Sequence, residues 1–343
     1  MPASDAAETL SSLSEPPDAA RRAAAPGEDE RTRELLIYWG YRIGERLISA
    51  LPRRLALAAA AALGNVAYDV AGPKRTLLHT NLARPMRLAP ENRRVKRAAR
   101  RAFRNYAKYL ADIMRMSAMS DEDARALVRI EDIEVLREAR ARGKGVLLCT
   151  VHVGGMDLVG SALWAHGESL HVVADDTTYG RLYDHLAAAR ARQSIHLIGW
   201  RNLRGLFRAL RDGENLVLFC DGGYRRGDVP VEFCGEATTF PIGPATLAAK
   251  TGAPMLPVTA QRTVDDLFHA GGLPLVECHG TDPAELYRAT QAVADALGRV
   301  IEDDPGQWYM FRPIWPATEA DRAQARAALE AARRGEDWMK IGA

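Results

Sequence analysis

After residue 130 the chain alternates short apolar runs with helix-length amphipathic stretches, and this alternation narrows the fold more than any other feature. Strand-like runs occupy 145–150 (GVLLCT), 171–174, 194–198, 215–220, 255–260 and 275–278. Helical patterns lie at 156–166, 181–192, 203–211 and 244–251, and a longer one at 283–303. Strands alternating with helices predict a largely parallel, mixed central sheet with helices on its faces. Residues 119–316 are therefore read as one α/β catalytic domain.

The preceding region has a different texture. Residues 34–118 read as helical throughout, with Pro52 as a break, and form a membrane-associating segment in this reading. Its first part is apolar and aromatic-bearing (Leu35, Leu36, Tyr38, Trp39, Tyr41, Ile43, Leu47, Ile48). The stretch 55–68 is uncharged and Ala-rich, but shorter than the ~20 residues a spanning helix needs, so it predicts a core or interfacial helix. Residues 91–116 show one apolar stripe at helical spacing, from Val95 to Met114. Opposite it stand Arg93, Arg94, Lys96, Arg97, Arg100, Arg101, Arg104 and Lys108, for which two readings stay open. They form a solvated face, or they dock on anionic headgroups or an acidic carrier. No recognition module accompanies the charge, so nucleic acid is not expected as a partner. Residues 1–33 lack an apolar core for a secretory signal and read as a disordered tail. Residues 317–343 read as a terminal helix and tail.

The four cysteines, Cys149, Cys220, Cys234 and Cys278, are widely spaced without a CxxC pair. That spacing fits buried thiols in a reducing compartment. No ligand pair accompanies Cys149 and His152, so no metal or other cofactor is expected.

Chemistry concentrates in the segment that follows GVLLCT. Ligands of open α/β sheets gather where strands end and helices begin, and His152 falls there, followed by Gly154, Gly155 and Asp157. The glycines permit a tight turn and close backbone approach. Through that bend Asp157 is expected to reach an imidazole nitrogen of His152, fix the tautomer and leave the other nitrogen as a general base. The Gly154 and Gly155 N–H groups are candidate donors to an oxyanion. A G-x-S-x-G elbow is missing, so the proton would come from an alcohol substrate rather than an enzyme serine. The loop from Asp221 through Arg225 and Arg226 is glycine-rich and charged. Its arginine forks could hold a phosphate, or the loop is a solvent-exposed turn. Residues 232–236 read as a hairpin edge, and Trp308, Tyr309, Phe311 and Trp315 as core or membrane-interface anchors.

Taken together, these blocks resemble a known family. They are Asn81, RAFRNYAKYL (101–110), GKGVLLCTVHVGGMD (143–157), LRDGENLVLFCDGGYRRGDVPVEFCGE (210–236), FPIGPATLAAKTGAPMLPV (240–258) and DPGQWYMFRPIW (304–315). In this order they resemble the bacterial lipid A acyltransferases of the lysophospholipid acyltransferase superfamily, whose actinobacterial branch includes phosphatidylinositol mannoside acyltransferases. The resemblance runs from about residue 35 to 316. It implies a glycerolipid acyltransferase-like fold with a membrane-facing helical N-terminal segment. It also implies transfer of a fatty acyl chain from acyl-CoA or acyl carrier protein, as co-substrate, to a hydroxyl of a membrane glycolipid or lysophospholipid. The expected place is the cytoplasmic face of the plasma membrane, held there peripherally or monotopically. On the family pattern His152 and Asp157 match its H-x4-D, Arg190 (or its neighbour Arg192) a positioning arginine, and Asp221 the acidic residue ending the next strand. Gly155 and Met156 stand where relatives often carry Asn and an aromatic, and Cys220 where some carry Pro. Two rivals remain: a lipid ester or thioester hydrolase using the same dyad, and a non-catalytic membrane-binding protein of the same fold.

Overall fold

The structure, a computed structural model, describes residues 28–174 and 180–342. Four helices come first: α1 (Glu28–Ala50), α2 (Arg53–Val70), α3 (Gly72–Ala83) and α4 (Arg93–Met116). The break between α1 and α2 falls at Pro52, whose ring cannot continue a helix interior. Residues 28–33, expected in the tail, belong to α1; the rest of the expected tail, 1–27, lies outside the described residues.

The α/β portion then runs α5 (Asp121–Leu127), β1 (Val128–Glu131), α6 (Ile133–Ala141), β2 (Val146–Thr150), α7 (Met156–Ala165), β3 (Leu170–Ala174), α8 (Gly180–Ala191), β4 (Ile195–Gly199), α9 (Leu203–Arg211) and β5 (Asn215–Phe219). It continues with a hairpin of β6 (Val229–Phe233) and β7 (Glu236–Phe240), then α10 (Gly243–Thr251), β8 (Met255–Arg262), β9 (Phe268–Gly272), α11 (Pro283–Asp303), α12 (Glu319–Arg333) and α13 (Met339–Gly342). A single 3-10 turn at Pro305–Gln307 follows α11.

The main sheet has seven strands in the order β1-β9-β8-β2-β5-β3-β4. The five strands from β8 to β4 are parallel, β9 is antiparallel to β8, and β1 is parallel to β9. The expected mixed, largely parallel sheet is thus present. The run 275–278 is not one of its strands: it meets β8 through a single bridge, Met255 to Val276. The strand beside β8 on that side is β9, which returns directly from β8 through a short turn. The hairpin edge at 232–236 is present, turning at Cys234 and Gly235, both left-handed (φ 50° and 79°).

Alternation along each strand sends its side chains to two cores. Leu147 and Cys149 of β2 join Leu206 and Leu210 of α9, Leu247 of α10, Val293 of α11 and Trp308. Val146 and Leu148 join Leu158, Ala162 and Leu163 of α7 on the other face. Chain direction explains the split. The crossovers through α7 and α8 move along the sheet one way and those through α9 and α10 move back. Right-handed connections therefore place the two sets on opposite faces.

No single described helix is long and apolar enough to cross a membrane. The α2–α3 pair would pass only together and is bent by 96°. Moreover, α3 buries Leu78, Asn81 and Leu82 in the protein, and the Asn81 amide donates to the carbonyls of Met310 and Arg312.

Candidate active site

β2 and β5 are adjacent parallel strands, with Thr150 opposite Phe219. Two residues beyond each, the chain places His152 beside Asp221. The Asp221 carboxylate accepts the His152 backbone N–H (2.9 Å), the His152 Nδ1–H (2.7 Å) and the Trp308 indole N–H (2.9 Å). Asp221 is buried, at 1% exposure. Burial alone would raise its pKa, but the imidazole and the donated hydrogen bonds hold it below the usual carboxylate range. An ionised carboxylate only accepts, so Nδ1 carries the proton and Nε2 is the ring nitrogen left with a lone pair. Enclosure pulls the His152 pKa down, but the charge and hydrogen bond of Asp221 outweigh it and leave the ring above its ordinary 6.5. The ring stacks on Phe219 with centroids 4.4 Å apart, which fixes its plane.

The expected contact between His152 and Asp157 is not formed. Gly154 has φ +62°, and α7 starts immediately afterwards, so Asp157 lies in the first helical turn and faces α4 and α8 instead. Arg190 donates to it from Nε (2.8 Å) and Nη2 (2.6 Å), and the Tyr109 hydroxyl donates as well. Burial would push the Asp157 carboxyl up, but Arg190 and these hydrogen bonds hold it below the usual range. Asp157 acts on His152 only through space, as a nearby negative charge.

Gly154 and Gly155 cannot serve as the expected oxyanion donors. The Gly154 N–H is donated to the Gln307 carbonyl (3.1 Å) and the Gly155 N–H to the Ala260 carbonyl (3.0 Å). Their requirement is packing: a Cβ on Gly154 would lie 1.4 Å from the Ala260 oxygen, and one on Gly155 2.2 Å from the Phe268 ring. That closeness leaves no room for a side chain at either position. The loop arginines are not brought to this centre. Arg226 is held by Asp321 of α12 (3.1 and 2.7 Å), and neither it nor Arg225 lines the cavity described next. Arg225 is exposed and uses its backbone N–H on Thr239.

A cavity of about 570 Å³ opens beside His152, between the sheet and α6, α7 and α8. Its walls are apolar, including Leu148, Val217 and Leu256 from the strands and Leu163 and Leu186 from the helices. His152, Tyr109, Asp157, Arg190 and Arg312 gather at one end. Glu131 and Asp132 border the cavity at the end of β1, which the register through Gly271 and Thr259 puts level with the C-terminal end of β2 but several strands to the side. The lining runs from Leu170 and Ile195 at the strand starts to Phe219 at a strand end, roughly 16 Å at about 3.3 Å per residue. Tyr109, Trp308, Phe219 and Arg312 were missed as site residues by sequence reasoning. Only the Trp308 segment carried a signal, as a buried aromatic whose N–H needs an acceptor.

The profile of the family described as bacterial lipid A biosynthesis acyltransferase matches residues 26–316, most of the chain. The chain belongs to this family. As an acyltransferase it is similar to the phosphatidylinositol mannoside acyltransferase of Mycolicibacterium smegmatis, with 29% identity over 296 residues, 84% of this chain and 94% of that protein. It is similar also to the protein of that name from Mycobacterium tuberculosis, with 30% identity over 240 residues, 66% of this chain and 73% of that one. Tyr109, His152, Asp157 and Arg312 of this acyltransferase's cavity lie on blocks that carry the sequence resemblance, and its four cysteines are free thiols.

Proposed function

We propose that this acyltransferase moves a fatty acyl chain from a thioester donor, acyl-CoA or acyl carrier protein, to a hydroxyl of a phosphatidylinositol mannoside-type glycolipid. The observation that carries the reading is a histidine, locked by a buried carboxylate, at the polar end of an apolar slot. The slot suits an extended hydrocarbon, and a thioester at its mouth would stand beside Nε2. His152 takes the hydroxyl proton as the oxygen attacks the thioester carbonyl. The imidazolium then returns that proton to the departing thiolate, so one group serves as base and acid. Asp221 stabilises the imidazolium and fixes the tautomer. Asp157, clamped by Arg190 and Tyr109, shapes the mouth and adds negative charge near the ring. The glycolipid acceptor rests on the relatives' names and on the alignment that spans nearly all of the Mycolicibacterium protein. Purified protein given palmitoyl-CoA or the palmitoyl carrier protein and a phosphatidylinositol mannoside should yield the acylated glycolipid by mass spectrometry. Release of free palmitate without glycolipid product would overturn the reading in favour of a hydrolase.

The same reading places the enzyme on the cytoplasmic face of the plasma membrane, and the outer face of α1 and α2 supports it. Leu36, Trp39, Ile43 and Leu47 recur at helical spacing on α1 and are 54–70% exposed. Leu55, Leu63, Val66 and Val70 continue the surface on α2. The β8–β9 turn joins it, since Arg53 donates to the Asp266 carbonyl (2.7 Å) and Val264 is almost fully exposed. Exposed apolar area of this extent marks an interaction site, and Arg33, Arg46 and Arg54 at its borders suit anionic headgroups. The double variant Trp39→Asp, Ile43→Asp should lose at least tenfold in sedimentation with vesicles containing anionic lipid, since each buried side chain contributes about 1.5–3 kcal/mol. Unchanged partitioning would remove this face from the membrane contact.

A further inference from the structure

Several exposed or half-buried arginines on this surface are tied to carboxylates. Arg137 and Arg140 reach Glu168, Arg142 reaches Glu277, Arg322 and Arg326 reach Glu319, and Arg333 reaches Glu232. Helix α9 has no such ties, and although Arg93, Arg94, Arg97 and Arg104 of α4 share that property, α9 is the one of the two helices that starts directly at a C-terminal strand end of the sheet. Its exposed positions are Arg204, Arg208 and Arg211, and Arg201 stands just before it, at spacings of three and four residues that form one row. Among the described residues none of these four makes an ion pair; Arg201 lies over the Trp200 ring at 4.9 Å.

Local helix physics disfavours this row. Arg201 and Arg204 put positive charge at the positive end of the helix dipole, against a preference of about 0.3–1 kcal/mol per charge. Arg204 with Arg208 and Arg208 with Arg211 are like-charge neighbours, each a further cost of a few tenths of a kcal/mol. Only Arg208 and Arg211, in the last turn, are favoured by the dipole. A row kept against these costs is explained by a partner that neutralises it.

The partner's chemistry follows from what the row lacks. Every apolar side chain of α9 (Leu203, Leu206, Phe207, Ala209, Leu210) is buried or partly buried, so the helix has nothing to insert into a bilayer. It follows β4 and runs back along the sheet, so the row starts at the strand ends that carry His152 and Asp221 and leads away from them. With strands about 4.8 Å apart, the end of β4 lies roughly 10–15 Å from those of β5 and β2. A flexible prosthetic arm covers such a distance.

We infer that the arginine row of α9 is the docking surface for an acidic protein that carries the acyl thioester. The inference rests on the acyl-transfer reading above and names the donor's side of it. Docking is electrostatic, so it weakens with salt and acts on donor affinity rather than on the chemical step.

The test compares the wild type with Arg204→Glu, Arg208→Glu, two positions outside the catalytic machinery. Each is assayed with palmitoyl-CoA and with the palmitoyl acyl carrier protein on a phosphatidylinositol mannoside acceptor. The expected result is a KM for the carrier-bound donor raised at least tenfold, with its kcat held and the palmitoyl-CoA rates unchanged. An unmoved KM, or an equal loss with both donors, overturns the inference. So does a wild type that uses palmitoyl-CoA but never the carrier protein, an outcome that leaves acyl transfer intact. If the wild type turns over neither donor, acyl transfer itself fails. The surface is then judged by biolayer interferometry of the carrier protein on the full chain, where salt-sensitive binding lost in the variant supports it and no binding overturns it. Loss of binding to anionic vesicles instead would assign the row to lipid and overturn it as well.

Discussion

Replacing His152 by alanine should lower acyl transfer by about 10²–10⁴, the usual contribution of a positioned general base. The side chain is half-exposed at the cavity mouth and packs on Phe219 rather than in either core, so its loss should leave folding and vesicle binding intact. What remains is a cavity that still holds the acyl chain but has no group to take the hydroxyl proton. The wild-type pH profile is a second readout. With the His152 pKa above 6.5, kcat/KM should rise with pH through that ionisation, because only the neutral ring accepts a proton. Stopped turnover assays on folded protein decide the matter. Retention of the full rate in His152→Ala, or a rate flat across the range from about pH 5.5 to 8.5, would remove this residue from the chemistry.

Much of this site was legible in the sequence because its residues sit where strands end. GVLLCT is apolar and bounded by glycine and a polar turn, so β2 and the position of His152 followed directly. The partner of His152 did not follow, because it depends on which strand lies beside β2. Asp157 is five residues away in sequence, yet the start of α7 turns its carboxylate toward Arg190 and Tyr109. Asp221 is 69 residues away and becomes the hydrogen-bonded neighbour through the β2–β5 register. Strand β9 was hidden for a related reason. Its sequence, Phe-His-Ala-Gly-Gly, lacks the apolar run that marks a buried strand, and its pairing depends on the turn from β8. The basic face of α4 was read two ways, and the structure divides it. Arg100, Arg101 and Lys108 are tied to Asp69, Asp304 and Asp266, whereas Arg93, Arg94, Lys96, Arg97 and Arg104 are exposed without an ion pair among the described residues.

Changing Asp221 to asparagine should cost as much as losing the histidine, about 10⁴ in kcat by comparison with the same exchange in a Ser-His-Asp triad. The carboxylate receives three N–H groups, two on Oδ2 (His152 backbone and Trp308) and one on Oδ1 (His152 Nδ1). An asparagine of the same shape can keep the first two with its carbonyl oxygen, so the fold should survive. Its amide then points an N–H at Nδ1, which must become an acceptor. The ring proton moves to Nε2, and the nitrogen facing the cavity can no longer act as a base. Loss of the negative charge also removes the support for the imidazolium. Asp157→Asn, by contrast, leaves the His152 tautomer untouched and weakens the Arg190 clamp, so it should act more on substrate KM than on kcat. Side-by-side kinetics of the two variants, with melting curves to show that both are folded, separate the roles. A mild Asp221→Asn beside a 10⁴-fold loss of kcat in Asp157→Asn would mean that substrate binding swings the imidazole onto Asp157, and that the pair formed through the β2–β5 register is not the one that does the chemistry.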